Sequence, residues 1–160
     1  MNIIYLFDWG DTLMVDLPEE NGKMCNWVDV QAVTGAKKAL EHLSKSHKIY
    51  VATNAADSSE MDVKSAFERV GLSEYISGYF CKANLGIGKG TSEFFHRILN
   101  ILDVESQSVI MVGDTYDKDI VPAIKAGIQA IWFNPNNLSS QSNHTIKSIE
   151  SLSELYTTRN

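Results

Sequence analysis

At 160 residues, with 44% apolar and 21% charged side chains, the chain has the size and balance of one globular domain, read as a single unit over residues 1–160; disorder or a fibre is not suggested. A net charge of −6 with no dense Lys/Arg cluster excludes binding along a nucleic-acid backbone, but not a phosphorylated substrate, because a bound divalent cation reverses the local field. No stretch reaches the ~18 uninterrupted apolar residues of a membrane span, and no basic n-region with a cleavage site opens the chain, so a cytoplasmic protein off the membrane is expected.

In chain order, IIYLFD at 3–8 reads as the first strand, delivering Asp8 to its end and turning at once at Gly10 and Asp11. About twenty residues, MVDLPEENGKMCNWVDVQAV, lead to a helix that Thr34 can cap, running through about Ser46 with Ala36, Ala39, Leu40 and Leu43 on one face. KIYVAT at 48–53 is the second strand; Ser58 or Ser59 opens the next helix, which Gly71 ends as a C′ glycine. GYFCK at 78–82 is the third strand, and Thr91 can cap a helix carrying Phe94, Phe95, Ile98 and Leu102. SVIMVG at 108–113 is the fourth strand, Asp117 starts a helix that stops near Gly127, and QAIWF at 129–133 is the fifth strand. The polar stretch at 134–143 reads as a surface loop, IKSIESLSELY as a short helix on the sheet edge, and 157–160 as a frayed end. The alternation predicts an α/β chain: a three-layer Rossmann-like fold, its mainly parallel five-stranded sheet covered by helices on both faces. Cys25 and Cys81, far apart and without metal-ligand spacing, read as reduced structural thiols.

A parallel sheet gathers its strand C-termini along one edge, where ligands bind. Asp8, Thr53, the loop holding Lys89, and Asp114 therefore converge. Taken singly, each has a plain role: Asp8 in a turn, Thr53 at a helix entry, Lys89 in solvent, Asp114 and Asp117 as helix caps. Together they form a chemistry. A carboxylate nucleophile needs a cation to neutralise an incoming phosphate, a hydroxyl and N–H groups to hold its oxygens, and a lysine to balance charge. Mg²⁺ takes one or two carboxylates plus substrate oxygens and waters, which suits Asp8 with Asp114.

These residues resemble the four motifs of the haloacid dehalogenase superfamily, from about residue 3 to 133. FDWGDTL is similar to the first motif, implying Asp8 as nucleophile beside Thr12, with the Gly10 backbone carbonyl as a metal ligand. VATNA resembles the second, implying Thr53 and the Asn54 amide as the phosphate grip. GIGKGTSEFF resembles the third, implying Lys89 as the charge-balancing lysine, although the usual proline after it is Gly90; Lys82, at its strand end, is the rival. VGDTYDKDIVPAIKAG resembles the fourth, implying Asp114 and Asp119 as the acids that hold Mg²⁺.

The family's phosphatases carry a second aspartate two residues after the nucleophile, which protonates the leaving group and then activates water. Here that residue is Gly10, and the next carboxylate is Asp11, a candidate substitute acid/base whose plainer role is in the turn. Proton transfer of this kind contributes about 10²–10⁴-fold, so its loss slows turnover without erasing the site. The dehalogenases of the superfamily also lack this aspartate, but rely on a large helical cap. Neither cap position in this sequence has room for an independent cap, so the resemblance implies a capless member, whose relatives take bulky phosphorylated macromolecules or oligomerise to close the site. Met24 and Trp27, in the segment before the first helix, are expected to pack over the sheet edge, with substrate or partner contact as the alternative. The zinc-bearing capless relatives have a Cys/His cluster this chain lacks, and His42, His47, His96 and His144 are given no catalytic role. Two functions follow as expectations: a Mg²⁺-dependent phosphatase acting on a phosphorylated small molecule or macromolecule through an aspartyl-phosphate, or a catalytically weak phosphate- or protein-binding module.

Overall fold

The computed structural model describes residues 3–139 and 146–157. His144, residues 140–143 of the polar loop and residues 158–160 of the expected frayed end lie outside them. The core is one parallel sheet of six strands: β1 (Ile4–Phe7), β2 (Lys48–Ala52), β3 (Gly78–Phe80), β4 (Val109–Gly113), β5 (Gln129–Phe133) and β6 (Lys147–Ile149), in the order β3-β2-β1-β4-β5-β6. The helices are α1 (Ala36–Ser44), α2 (Glu60–Arg69), α3 (Lys82–Leu85), α4 (Ser92–Leu102) and α5 (Val121–Lys125).

A strand buried on both faces is apolar at every position, and β1 shows why. Leu6 and Phe7 are both fully buried but point to opposite sides. Phe7 packs with Leu40 and Leu43 of α1 and Val63 and Phe67 of α2, whereas Leu6 packs with Phe94, Phe95 and Ile98 of α4 and Ala123 of α5. Because β1 has β2 on one side and β4 on the other, the winding reverses there. The crevice of such a sheet opens beyond the carboxyl ends of these two strands, where Asp8 and Asp114 follow.

Five of the six strands and the principal helices match the sequence pattern. The sixth replaces the expected edge helix: Lys147–Ile149 pairs with Ile131–Phe133, and a 3₁₀ turn (Leu152–Leu155) follows. The exposed edge of β5 offers unpaired backbone groups, and a strand satisfies them where a helix cannot. Ser151 caps the turn, accepting from the Ser153 N–H at 3.3 Å. At α1 the N-cap is Gly35, in the left-handed region, rather than Thr34. Ser59 caps α2 in a reciprocal capping box with Asp62, as expected of one of the two serines. The third strand ends before Lys82, which instead opens α3 and is exposed. Asp117 does not start the fourth expected helix; a five-residue π-turn (Tyr116–Ile120) with Thr115 at its N-cap comes first, and α5 follows.

Residues 13–35 contain a single 3₁₀ turn (Met24–Asn26) and fold back on the sheet end. The Lys23 ammonium reaches Asp62 at 2.9 Å, and Arg69 donates to the carbonyls of Cys25, Trp27 and Val28, so α2 holds this segment down. Met24 and Trp27 are buried among Trp9, Leu13 and Phe67, as expected of core packing. Among the described residues no helix is long and apolar enough to cross a membrane.

Phe67 is fully buried, with Trp9 and Tyr79 rings at 6.0 and 5.7 Å. Phe67→Ala is expected to cost about 3–5 kcal/mol in urea unfolding, from lost transfer energy plus the cavity left behind. Met61→Ala, at an exposed position of the same helix, is expected to stay within about 0.5 kcal/mol.

Candidate active site

Four backbone devices bring the polar groups together. The first is the end of β1, where the Asp8 N–H still pairs with the Val112 carbonyl (2.9 Å), so Asp8 stands at the last rung of the ladder. The turn after it wraps on the Trp9 carbonyl, which accepts from Leu13 (3.0 Å) and Met14 (3.1 Å) and points the Thr12 side chain inward. The second is the end of β2, where the Thr53 N–H bonds the Phe80 carbonyl at 2.9 Å.

The third is the loop before α4. Lys89 presents its N–H to the Asn54 carboxamide oxygen at 2.8 Å, and Gly90 has φ +127°. Proline, fixed near −65°, cannot adopt that angle, which accounts for the glycine where the resembling motif has proline. The fourth is the π-turn after β4: the Asp119 carboxylate accepts from the Thr115 N–H at 3.0 Å and lies against Gly113, where any added Cβ would collide with it. π-turns of this kind commonly aim a side chain at a site.

The result is a buried charge cluster. The Lys89 ammonium, with its side chain 2% exposed, sits 2.6 Å from Asp8 Oδ1 and 2.7 Å from Asp119 Oδ1. The Thr12 hydroxyl lies 3.2 Å from both Asp8 Oδ2 and Asp114 Oδ1. Carboxylate oxygens of Asp8, Asp114 and Asp119 all come within 4.8 Å of one another. Burial works to raise the Asp8 pKa, but the Lys89 charge and hydrogen bonds to the carboxylate outweigh it and hold Asp8 below the ordinary range. Burial works to lower that of Lys89, yet Asp8 and Asp119 hold it above its ordinary value. Asp114 is pushed up to about 8 by burial and by sharing a hydrogen bond with Asp8, and Asp119 to about 6 by burial and the Asp8 charge.

Three carboxylates facing one ammonium leave a deficit of two positive charges. A divalent, oxygen-seeking ion matches that deficit and the donor set.

Asp8 and Thr12 follow β1, Thr53 and Asn54 follow β2, Asp114 and Asp119 follow β4, and Lys89 reaches in from the loop before α4, so all of them gather at one sheet edge. The chain belongs to the haloacid dehalogenase-like hydrolase family. Residues 15–133 match that family. Pyrimidine 5'-nucleotidase PynA of Streptococcus pneumoniae is 29% identical over 117 residues, covering 72% of this chain and 47% of the relative. Ribulose-1,5-bisphosphate 5-phosphatase of Halopiger xanaduensis is 26% identical over 140 residues, covering 79% and 57%. The chain thus spans about half the length of these curated relatives. An uncharacterized protein from Listeria monocytogenes serotype 4b shares the fold at TM-score 0.83 and 23% identity, covering 96% of this chain and 94% of that one. The putative HAD-hydrolase YfnB from Bacillus subtilis, crystallised bound to magnesium, shares it at TM-score 0.79 and 15% identity, covering 97% of each chain.

Within the haloacid dehalogenase-like frame, the structure brings Asp8, Thr12, Lys89, Asp114 and Asp119 into one cluster, with Thr53 and Asn54 beside it. Lys82 is exposed on α3 and takes no part. Asp11 is not brought to the cavity over Asp8: it sits in the left-handed region (φ 62°) with Oδ1 accepting the Asp16 N–H at 2.9 Å. A cavity of about 270 Å³ opens over Asp8, walled by Thr53, Asn54 and Gly10 and roofed by Met24 and Trp27. Asp16 also lines it. Nothing in the sequence marks Asp16, which reads as one more polar residue in a loop.

Two outcomes are expected here. Lys89→Met leaves Asp8 and Asp119 buried without a counter-charge and is expected to lower stability by about 3–5 kcal/mol in urea, metal-free. The raised carboxyls of Asp114 and Asp119 favour the folded state when protonated. Their contribution is therefore complete below about pH 4 and lost as pH rises, through about 6 for Asp119 and about 8 for Asp114. Asp8, with its lowered pKa, acts only at more acid pH. Scanning calorimetry of the metal-free protein is expected to show Tm falling from pH 6 to 8, and added Mg²⁺ raising Tm more at pH 8 than at pH 6.

Proposed function

We propose that this chain is a Mg²⁺-dependent phosphomonoester phosphatase that works through an aspartyl-phosphate on Asp8, within a single core domain lacking a cap. One observation carries the reading: Asp8 is kept ionised, with one oxygen held by Lys89 and the other by Thr12, at the floor of a cavity walled by Thr53 and Asn54. Phosphatase and nucleotidase relatives support the substrate class.

Asp8, Asp114 and the Gly10 carbonyl would hold the ion, with Asp119 completing the acidic set. When bound, Mg²⁺ supplies positive charge that offsets the phosphate dianion beside a carboxylate. The chain's own groups perform the rest. The Asp8 carboxylate attacks phosphorus in line, forming the Asp8–phosphorus bond as the ester oxygen leaves. Thr53 Oγ1 already accepts the Ala55 N–H at 3.1 Å, so its own O–H is left to donate to a phosphoryl oxygen. Two of the three Lys89 N–H donors go to Asp8 and Asp119, leaving the third for the same group. The backbone N–H groups of Gly10 and Asn54 donate to no protein acceptor among the described residues and complete the grip. Water then attacks phosphorus, releasing phosphate and freeing Asp8.

The cavity of about 270 Å³ admits a phosphoryl group and a small part of what it is attached to. A small phosphomonoester, or the phosphorylated tip of a larger molecule, fits that space.

Wild-type protein with Mg²⁺ is expected to release phosphate from members of a phosphomonoester panel and to lose that activity on chelation. Asp8→Asn is expected to abolish it, and Thr53→Val to lower it by about 10²-fold, the usual effect of removing one donor to the developing charge. No turnover above the Asp8→Asn control across the panel would refute the reading and favour a phosphate-binding module.

A further inference from the structure

The phosphatase reading leaves one role without a residue: a group that protonates the leaving oxygen and then takes a proton from water. We propose that Asp16 fills it, reaching from a different point in the chain to the place that a side chain at position 10 would occupy. This inference rests on the phosphatase reading.

The geometry is specific. A Cβ built on Gly10 meets one neighbour within 4 Å, the Cβ of Asp16 at 3.8 Å. Asp16 shares the cavity over Asp8 with Thr53 and Asn54. The backbone brings it there. The turn after Asp8 closes on the Trp9 carbonyl, Gly10 bridges Met14, and Met14 bridges Ala32, so the chain doubles back along itself six residues after Gly10. Val15 is pinned by the Gln31 carbonyl (2.8 Å), and the Asp16 N–H by Asp11 Oδ1 (2.9 Å). The one-residue offset at Asp11 thus has a structural role. Its carboxylate holds the backbone of Asp16 and is a positioning group, not a proton donor.

The Asp16 carboxylate itself receives no hydrogen bond or ion pair from the described residues, so both oxygens are free for substrate. Asp57 is the other carboxylate at this cavity, but one of its oxygens is engaged by the Ser58 hydroxyl at 3.1 Å and it belongs to the loop carrying Thr53 and Asn54.

The proton balance is complete. In the first half, the protonated Asp16 carboxyl gives its proton to the ester oxygen as that oxygen's bond to phosphorus breaks and the Asp8–phosphorus bond forms. In the second, the Asp16 carboxylate takes a proton from water as the water oxygen bonds to phosphorus and the Asp8–phosphorus bond breaks. Asp16 ends protonated, ready for the next turn.

The test compares wild type, Asp16→Asn, Asp57→Asn and the double variant Gly10→Asp/Asp16→Asn on two substrates. p-Nitrophenyl phosphate has a leaving group that departs unprotonated, whereas glycerol phosphate has one that needs a proton. Asp16→Asn, at an exposed position, is expected to fold as wild type and to lose about 10²-fold or more in kcat on glycerol phosphate, the usual scale of acid/base help. On p-nitrophenyl phosphate it is expected to give a burst of one nitrophenolate per protein followed by slow turnover, with a phosphoryl adduct visible by intact mass. Adding Gly10→Asp is expected to restore turnover, since the site has room for that side chain. Unchanged rates in Asp16→Asn, an equal loss on both substrates without a burst, or the loss appearing in Asp57→Asn instead would overturn the assignment while leaving the phosphatase reading intact. Wild type no better than Asp8→Asn on either substrate would overturn both.

Discussion

A single buried ammonium organises the open end of this sheet. Lys89 lies between Asp8 and Asp119 at 2.6 and 2.7 Å, with almost none of its side chain in water. Burying charges without partners costs far more than one domain's net stability can bear. The three groups therefore stand only because each satisfies the others. Their placement also fixes the backbone around them: Gly113 must be glycine to let Asp119 in, and the Lys89 N–H is tied to Asn54. The strand ends β1, β2 and β4 and the loop before α4 are thus locked to one another through polar contacts, on top of the apolar packing beneath.

That arrangement is deliberately short of positive charge. Asp114 completes an acidic set that Lys89 alone does not neutralise, and burial together with the neighbouring Asp8 pushes its pKa up to about 8. A buried acidic set of this kind is a cost to the fold. The apolar layers supply the compensation. Phe7, Phe67, Phe94 and Phe95 are all fully buried on the two faces of the same sheet, and their burial holds the strand ends where the charges need them.

The segment between β1 and α1 does two things at once. Met24 and Trp27 belong to the core by burial, yet they also roof the cavity over Asp8. Anchoring by Arg69 and by the Lys23–Asp62 pair makes the roof part of the α2 face rather than a loose loop. The same segment carries Asp16 back to Gly10, so a stretch with little regular structure shapes one wall of the cavity over Asp8.

Much of this was legible from residues alone. Apolar runs of strand length, alternating with amphipathic helices, determined a parallel sheet and its principal strands, because burial on both faces demands that pattern. Asp8, Thr53, Lys89, Asp114 and Asp119 were each readable from their local motifs, since a strand end followed by a turn is a local event. Three matters were not local. The edge strand Lys147–Ile149 depends on the open side of β5, which no pattern within its own residues announces. The π-turn that aims Asp119 depends on how the chain after β4 packs against Gly113 and Lys89. The meaning of Gly10 and Asp11 was also beyond sequence, which showed an acid displaced by one residue. Only the tertiary structure turned Asp11 away, into a hydrogen bond with the Asp16 backbone, and put the Asp16 side chain beside the empty position. Side-chain direction in a turn is set by φ and by the chain that folds back against it, and neither is written in the spacing of the letters.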